Sequence, residues 1–174
     1  MTGEAAATQN PGPGPVVVMG VAGCGKTTVG QLLAARLGFP YAEADSFHPA
    51  ANIAKMGRGV PLDDEDRQPW LSAIAEHIRH ESRLVVSCSA LKHQYRETLR
   101  QANPRTWFLH LVIGPQAAAQ RVAGRPGHFM PAALVNSQFA DLEPLRQETG
   151  LEVDATRPPE EIIAAVMNAL PPAP

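Results

Sequence analysis

Eight residues near the start of the chain have the types and spacing to hold a polyphosphate. Gly20, Val21, Ala22, Gly23, Cys24, Gly25, Lys26 and Thr27 satisfy G-x-x-x-x-G-K-[ST]. Glycine at positions 20, 23 and 25 lets successive backbone N–H groups turn inward, and a helix starting after Gly25 aims the positive end of its dipole at the same anion. Lys26 adds charge over the β- and γ-phosphates, Thr27 offers a hydroxyl to Mg2+, and Thr28 continues the binding segment. A lysine at a helix start opposes the dipole, so an anionic partner is expected there. Cys24 occupies a position that needs only a small side chain, and its thiol is read as packing. The implied ligands are ATP as co-substrate and Mg2+.

Such a loop works only between a buried strand and a helix, and the flanking sequence supplies both. Residues 15–19 are a short β-branched run suited to a central strand. Val29, Leu32, Leu33 and Leu37 recur at helical spacing before a stop at Gly38. Strands are then expected at 39–44, 83–88, 106–113 and 151–154. Helices are expected at 52–56, on the face of Trp70, Leu71, Ile74 and Ile78, and at 92–101, 116–123 and 134–142. A last helix presents Ile162, Ile163, Val166, Met167 and Leu170; Pro158 and Pro159 suit its first turn, and Pro171 and Pro172 end it. This alternation predicts an α/β, three-layer P-loop NTPase fold: a central parallel sheet of about five strands flanked by helices. Residues 1–14 read as a flexible tail, 15–170 as the single domain and 171–174 as a second short tail.

Arg121 and Arg125 are spaced to share one helical face leading into the break at 125–131. A mobile lid near 121–131 is expected, with both arginines neutralising charge on the transferring phosphoryl group. The competing reading is a solvated helix face.

The formal charge of −2 gives no electrostatic footprint for nucleic acid or an anionic membrane surface. Prolines and glycines interrupt the uncharged stretch at 5–25, so it is not a spanning helix. Two widely separated cysteines, with no signal for secretion, point to a reducing, cytoplasmic setting. The absence of Asn-Lys-x-Asp weakens a GTPase reading.

Polar residues are dense after the second strand: Asp45, His48-Pro49, Asn52, Lys55-Met56, Pro61-Leu62, and Asp64-x-Asp66-Arg67-x-Pro69-Trp70-Leu71. Cys88-Ser89-Ala90-Leu91-Lys92, Tyr95-Arg96 and His128-Phe129-Met130 follow. Together with the glycine loop these segments resemble the gluconate kinase family of small P-loop kinases, related to shikimate and adenylate kinases, over nearly all of 16–170. The resemblance implies ATP-dependent phosphorylation of gluconate at its terminal hydroxyl. It brings forward His48, Lys55, Arg67 and Lys92 as substrate-binding residues, each with a surface salt bridge as its commoner role, together with His128 and with Ser89, whose alternative role is simply to end a strand; it is compatible with a homodimer. Asp45 is the first choice for the group that orients the hydroxyl and accepts its proton, with a turn cap as the alternative role. Glu43, two residues earlier and so expected on the same strand face, stands where related families usually carry Asp; it is the second candidate toward Mg2+ beside Thr27. Asp64 and Asp66 could instead claim Arg67 for a structural ion pair. A kinase for another polyol acid or for shikimate, and a nucleotide-binding regulatory protein with little turnover, remain the alternatives.

Overall fold

The computed structural model describes residues 13–126 and 131–172. Five parallel strands form one sheet in the order β2-β3-β1-β4-β5: β1 (Val16–Met19), β2 (Tyr41–Glu43), β3 (Val85–Ser87), β4 (Trp107–Val112) and β5 (Gly150–Asp154). Among the described residues seven α-helices connect and follow them: α1 (Lys26–Leu37), α2 (Ala50–Gly57), α3 (Asp64–His80), α4 (His93–Ala102), α5 (Pro115–Ala123), α6 (Ala132–Asp141) and α7 (Pro159–Ala169).

Alternation along the strands divides the core between the two faces of the sheet. Val16, Val18 and Leu109 pack with Val29 and Leu33 of α1 and Ile162 and Val166 of α7. Val17, Met19 and Phe108 pack with Trp70 and Ile74 of α3 and Leu99 of α4. The result is the expected three-layer arrangement. β1 lies between β3 and β4, so the chain beyond its carboxyl end emerges where the strand order reverses, the place at which open α/β sheets bind ligands.

Several expected boundaries shift. β2 is only three residues long, because a 3-10 turn over Ala44–Phe47 begins directly after Glu43. α3 starts well before Trp70. Asp63 caps it, its side chain accepting from the Asp66 N–H at 2.8 Å while Asp66 Oδ2 accepts from the Asp63 N–H at 3.0 Å. Leu32, expected on the buried face of α1, is exposed. No helix among the described residues is long and apolar enough to cross a membrane.

Gly30, inside α1, is fixed by close approach. A Cβ there would lie 2.5 Å from Ser87 Oγ and 2.8 Å from the Tyr41 ring. Gly30→Ala gains helix propensity but overpacks this contact. A net loss of about 1–2 kcal/mol is expected, read as a lower urea midpoint.

Candidate functional site

Gly20, Gly23 and Gly25 have φ of 143°, 81° and 98°, values that side chains rarely tolerate, and α1 begins at Lys26 directly behind them. At Gly23 the requirement is doubled, since a Cβ would stand 2.7 Å from the Ala118 carbonyl oxygen of α5. The loop is therefore built on a buried strand and backed by two helices. Lys26 Nζ donates to Val21 O at 3.0 Å, reaching back across the loop. Ser87 Oγ, at the end of β3, donates to Lys26 O at 2.8 Å and ties the start of α1 to the neighbouring strand. Cys24 is buried, as its packing role requires.

Thr27 and Glu43 meet. Thr27 Oγ1 donates to Glu43 Oε2 at 2.8 Å, and the Tyr41 hydroxyl donates to the same oxygen at 2.7 Å. Burial foremost pushes the Tyr41 hydroxyl up to about 12, with Glu43 adding to it, so it remains a donor at neutral pH. Two protein oxygens at a phosphate loop fit Mg2+, which keeps several waters and takes its other ligands from phosphates. Among the described residues no group of three or more His, Cys, Asp or Glu gathers to cage a metal.

Glu43 and Asp45 do not share a strand face. The 3-10 turn breaks the alternation after Glu43, burying Ala44 and leaving Asp45 exposed. The cap role open to Asp45 is not realised, because its carboxylate has no hydrogen-bond partner among the described residues and the turn lacks a side-chain cap. Asp45 shares a turn with His48, and His48 and Arg67 both lie against Trp70; Asp45, Lys26 and Arg67 all act electrostatically on the buried Cys88 thiol. Burial above all pushes that thiol up to about 12, so it stays neutral.

Lys55 and Lys92 take the salt-bridge role open to each charged candidate, and Arg67 does not. Lys55 is paired with Asp66 and, at 3.4 Å, with Asp63. Lys92 is paired with Asp64 at 2.8 Å and with Asp141 of α6 at 3.7 Å. Asp64 is held down at about 2, first by Lys92 and then by Tyr95, which also donates to it. Neither aspartate takes Arg67. That residue is 8% exposed, forms no ion pair among the described residues, and its Nε has no hydrogen-bond partner. It lies over the Trp70 and Tyr95 rings, 6.0 and 5.6 Å from their centroids. A desolvated guanidinium without a counter-ion is costly unless an anion completes it.

His48 stacks on Trp70 at 4.6 Å, and the Trp70 indole donates to Ala44 O at 2.7 Å, fastening the polar turn to α3. Asn52 Nδ2 donates to Asp66 O at 2.8 Å, which fixes that amide; the same nitrogen lies 3.3 Å from His48 Nδ1, which must therefore accept. Burial foremost lowers the His48 pKa, so the ring is neutral at pH 7 and its Nε2–H is a donor. With Lys55 and Lys92 paired and His48 neutral, Arg67 is the uncompensated cation of the group. The Ser89 carbonyl accepts from the Gly20 N–H at 3.3 Å, so Ser89 serves the loop through its backbone.

Arg121 and Arg125 are not on one helical face. α5 ends at Ala123, Gly124 caps it, and Arg125 falls in the following turn. Both nevertheless line one cavity of about 350 Å³ beside the loop, with Gly25, Val29, Pro159 and Ile162. Arg121 Nη2 donates to Ala155 O at 2.9 Å, and Nη1 reaches Gly23 O and Cys24 O at 3.4 Å, joining α5 to the loop and to the turn after β5. His128 and the centre of the expected lid, 127–130, lie outside the described residues. Tyr41 and Ser87 escaped sequence reading. Tyr41 had a signal, standing two residues before Glu43 on the same strand.

The family model for shikimate kinase matches residues 22–170. A gluconokinase of Gluconobacter oxydans (strain 621H) is 43% identical over 158 residues, 88% of this chain and 89% of the relative. The chain belongs to the gluconokinase family. A probable gluconokinase of Rattus norvegicus is 38% identical, over 91% of this chain and 98% of its own. The crystal structure of a gluconokinase from Sinorhizobium meliloti 1021 superposes with a TM-score of 0.84 at 43% identity, covering 90% of this chain and 91% of that one. Shikimate kinase from Aquifex aeolicus, at 16% identity and a TM-score of 0.61, shares the fold. In this gluconokinase-family chain the polar group at the phosphate loop includes Arg67, which has no ion-pair partner among the described residues.

Proposed function

We propose that this chain transfers the γ-phosphate of ATP to the terminal hydroxyl of gluconate, giving 6-phosphogluconate and ADP. The observation that carries the reading is Arg67, a buried guanidinium without an ion-pair partner among the described residues, against the same Trp70 ring as His48, whose turn carries the exposed Asp45 carboxylate. An acid bearing a distant hydroxyl would satisfy both. Its carboxylate would pair with Arg67, the His48 Nε2–H would donate to a hydroxyl, and Asp45 would orient the reacting hydroxyl and take its proton. The loop N–H groups and Lys26 would hold the phosphates, while Arg121 and Arg125 would neutralise charge from the other side. Thr27 and Glu43 would hold Mg2+, which when bound supplies charge neutralisation at the phosphates. The cavity between Arg121 and Pro159, with its apolar wall at Val29 and Ile162, would take the nucleotide base.

The test is a panel of acceptors that includes gluconate, other polyol acids and shikimate, assayed by coupled ADP detection. Gluconate is expected to give the highest kcat/KM; preferential turnover of shikimate, or ADP formation with no acceptor, would refute the reading. Arg67→Met is expected to raise the gluconate KM roughly ten- to a hundredfold, the range of a hydrogen bond to a charged group, with the ATP KM unchanged. Because the lost charge is buried and unpaired, thermal stability is not expected to fall with it.

A further inference from the structure

One side chain outside every role described so far touches the phosphate loop. Gln138, on α6, accepts the Ala22 N–H through Oε1 at 2.7 Å, across 116 residues of sequence. Only the carbonyl end of the amide can accept from an N–H, so the side chain has one orientation. The peptide bonded in this way is also the one that carries Lys26. Its other polar atom, Val21 O, accepts from Lys26 Nζ at 3.0 Å and from the Cys24 N–H at 3.3 Å. Drawing the N–H toward an acceptor polarises the peptide and strengthens its carbonyl as an acceptor, so the two bonds reinforce each other.

α6 is itself well fixed. Leu134 and Val135 are buried, and Phe139 packs against the core around α1. Three residues beyond Gln138, and so on the same side of the helix, Asp141 pairs with Lys92 at 3.7 Å. One face of α6 therefore reaches the phosphate loop at Gln138 and the polar cluster around α3 and α4 at Asp141.

We propose that Gln138 is a positioning residue for nucleotide binding: it fixes the Val21–Ala22 peptide and thereby the carbonyl on which Lys26 rests. The ammonium of Lys26 has three donors. Anchoring one on Val21 O sets the direction of the other two toward the phosphates, without cost at the moment of binding. This inference rests on the reading of the loop as an ATP site.

A double-mutant cycle tests it, with ADP and a non-hydrolysable ATP analogue titrated calorimetrically into wild type, Gln138→Leu, Lys26→Met and the double variant. Gln138→Leu is expected to weaken binding about two- to tenfold, the range one neutral hydrogen bond supports, and to add nothing in the Lys26→Met background. Gln138→Ala repeats the comparison should the leucine variant fold poorly. A role confined to fold stability would give equal losses in both backgrounds; that result, or no loss in the single variant, overturns the proposal. A second readout needs no nucleotide: the Ala22 amide is expected to exchange with deuterium at least about tenfold faster in Gln138→Leu than in wild type, and equal exchange would contradict the bond itself. If wild type binds neither nucleotide, the ATP-site reading fails together with the proposal. If it binds them but leaves gluconate unphosphorylated, the acceptor reading fails alone.

Discussion

Asp45→Asn is expected to lower kcat for gluconate phosphorylation by about 10²–10⁴-fold, the usual contribution of a positioned general base, while the KM for ATP stays within about twofold. The side chain keeps its size and loses its basicity. Because the carboxylate has no hydrogen-bond partner among the described residues, the change removes no structural contact, and the melting temperature is expected to hold. That separation makes the test sharp. A drop in kcat with intact stability assigns Asp45 to the reaction, whereas unchanged turnover would remove it from the proposed mechanism. The same assay on Ser46→Ala, which loses only a hydroxyl donated to Glu43 O at 2.7 Å, should read near wild type.

Glu148→Gln is expected to have the largest effect on stability. Its carboxylate, in the segment between α6 and β5, accepts from Arg96 Nε at 2.9 Å and Nη2 at 2.6 Å, from His93 Nδ1 at 3.0 Å, and from Arg100. The Arg96 side chain is fully buried, and its Nη1 also donates to Ala90 O and Leu91 O. Removing the carboxylate leaves a buried guanidinium uncompensated, at a cost of about 3–5 kcal/mol. For a chain of this size that lowers Tm by roughly 10 °C. Glu161→Gln, which breaks the exposed pair with Arg157, should cost less than about 1 kcal/mol.

The pH dependence carries a definite sign. Burial pushes the Glu148 carboxyl upward, but hydrogen bonds from Arg96, His93 and Arg100 outweigh it and hold the group at about 2, below its ordinary 4.5. A carboxyl depressed on folding contributes stability that is complete above about 4.5 and is lost as pH falls toward 2. Urea midpoints of wild type and Glu148→Gln should therefore differ most at neutral pH and converge on acidification below 4.5; a constant gap would contradict the assignment.

The parts of the molecule legible in sequence are those set by local spacing. The glycine loop, the strand before it and the helix behind it need only neighbouring residues to specify them, and Thr27 and Glu43 are both legible as candidates although only the fold brings them together. What escaped depends on contacts distant in sequence. Arg67 directly follows Asp66 in the chain, yet α3 turns Asp66 toward Lys55 because adjacent residues along a helix point in different directions, while Asp64, three residues earlier and on the same side as Arg67, is taken by Lys92 and Tyr95. Glu148 reaches Arg96 across 52 residues, and Gln138 reaches Ala22 across 116. No local pattern marks either one. The shared helical face of Arg121 and Arg125 failed for a nearer reason: Gly124 ends α5 between them, and the cavity beside the loop brings them together instead.

The central claim is the acceptor. Purified protein incubated with ATP, Mg2+ and gluconate, with the product resolved by 31P NMR, is predicted to give one new phosphomonoester on the terminal carbon, in amounts equal to the ADP formed. A phosphoryl group on another carbon, or ADP released with inorganic phosphate and no sugar phosphate, would contradict the account.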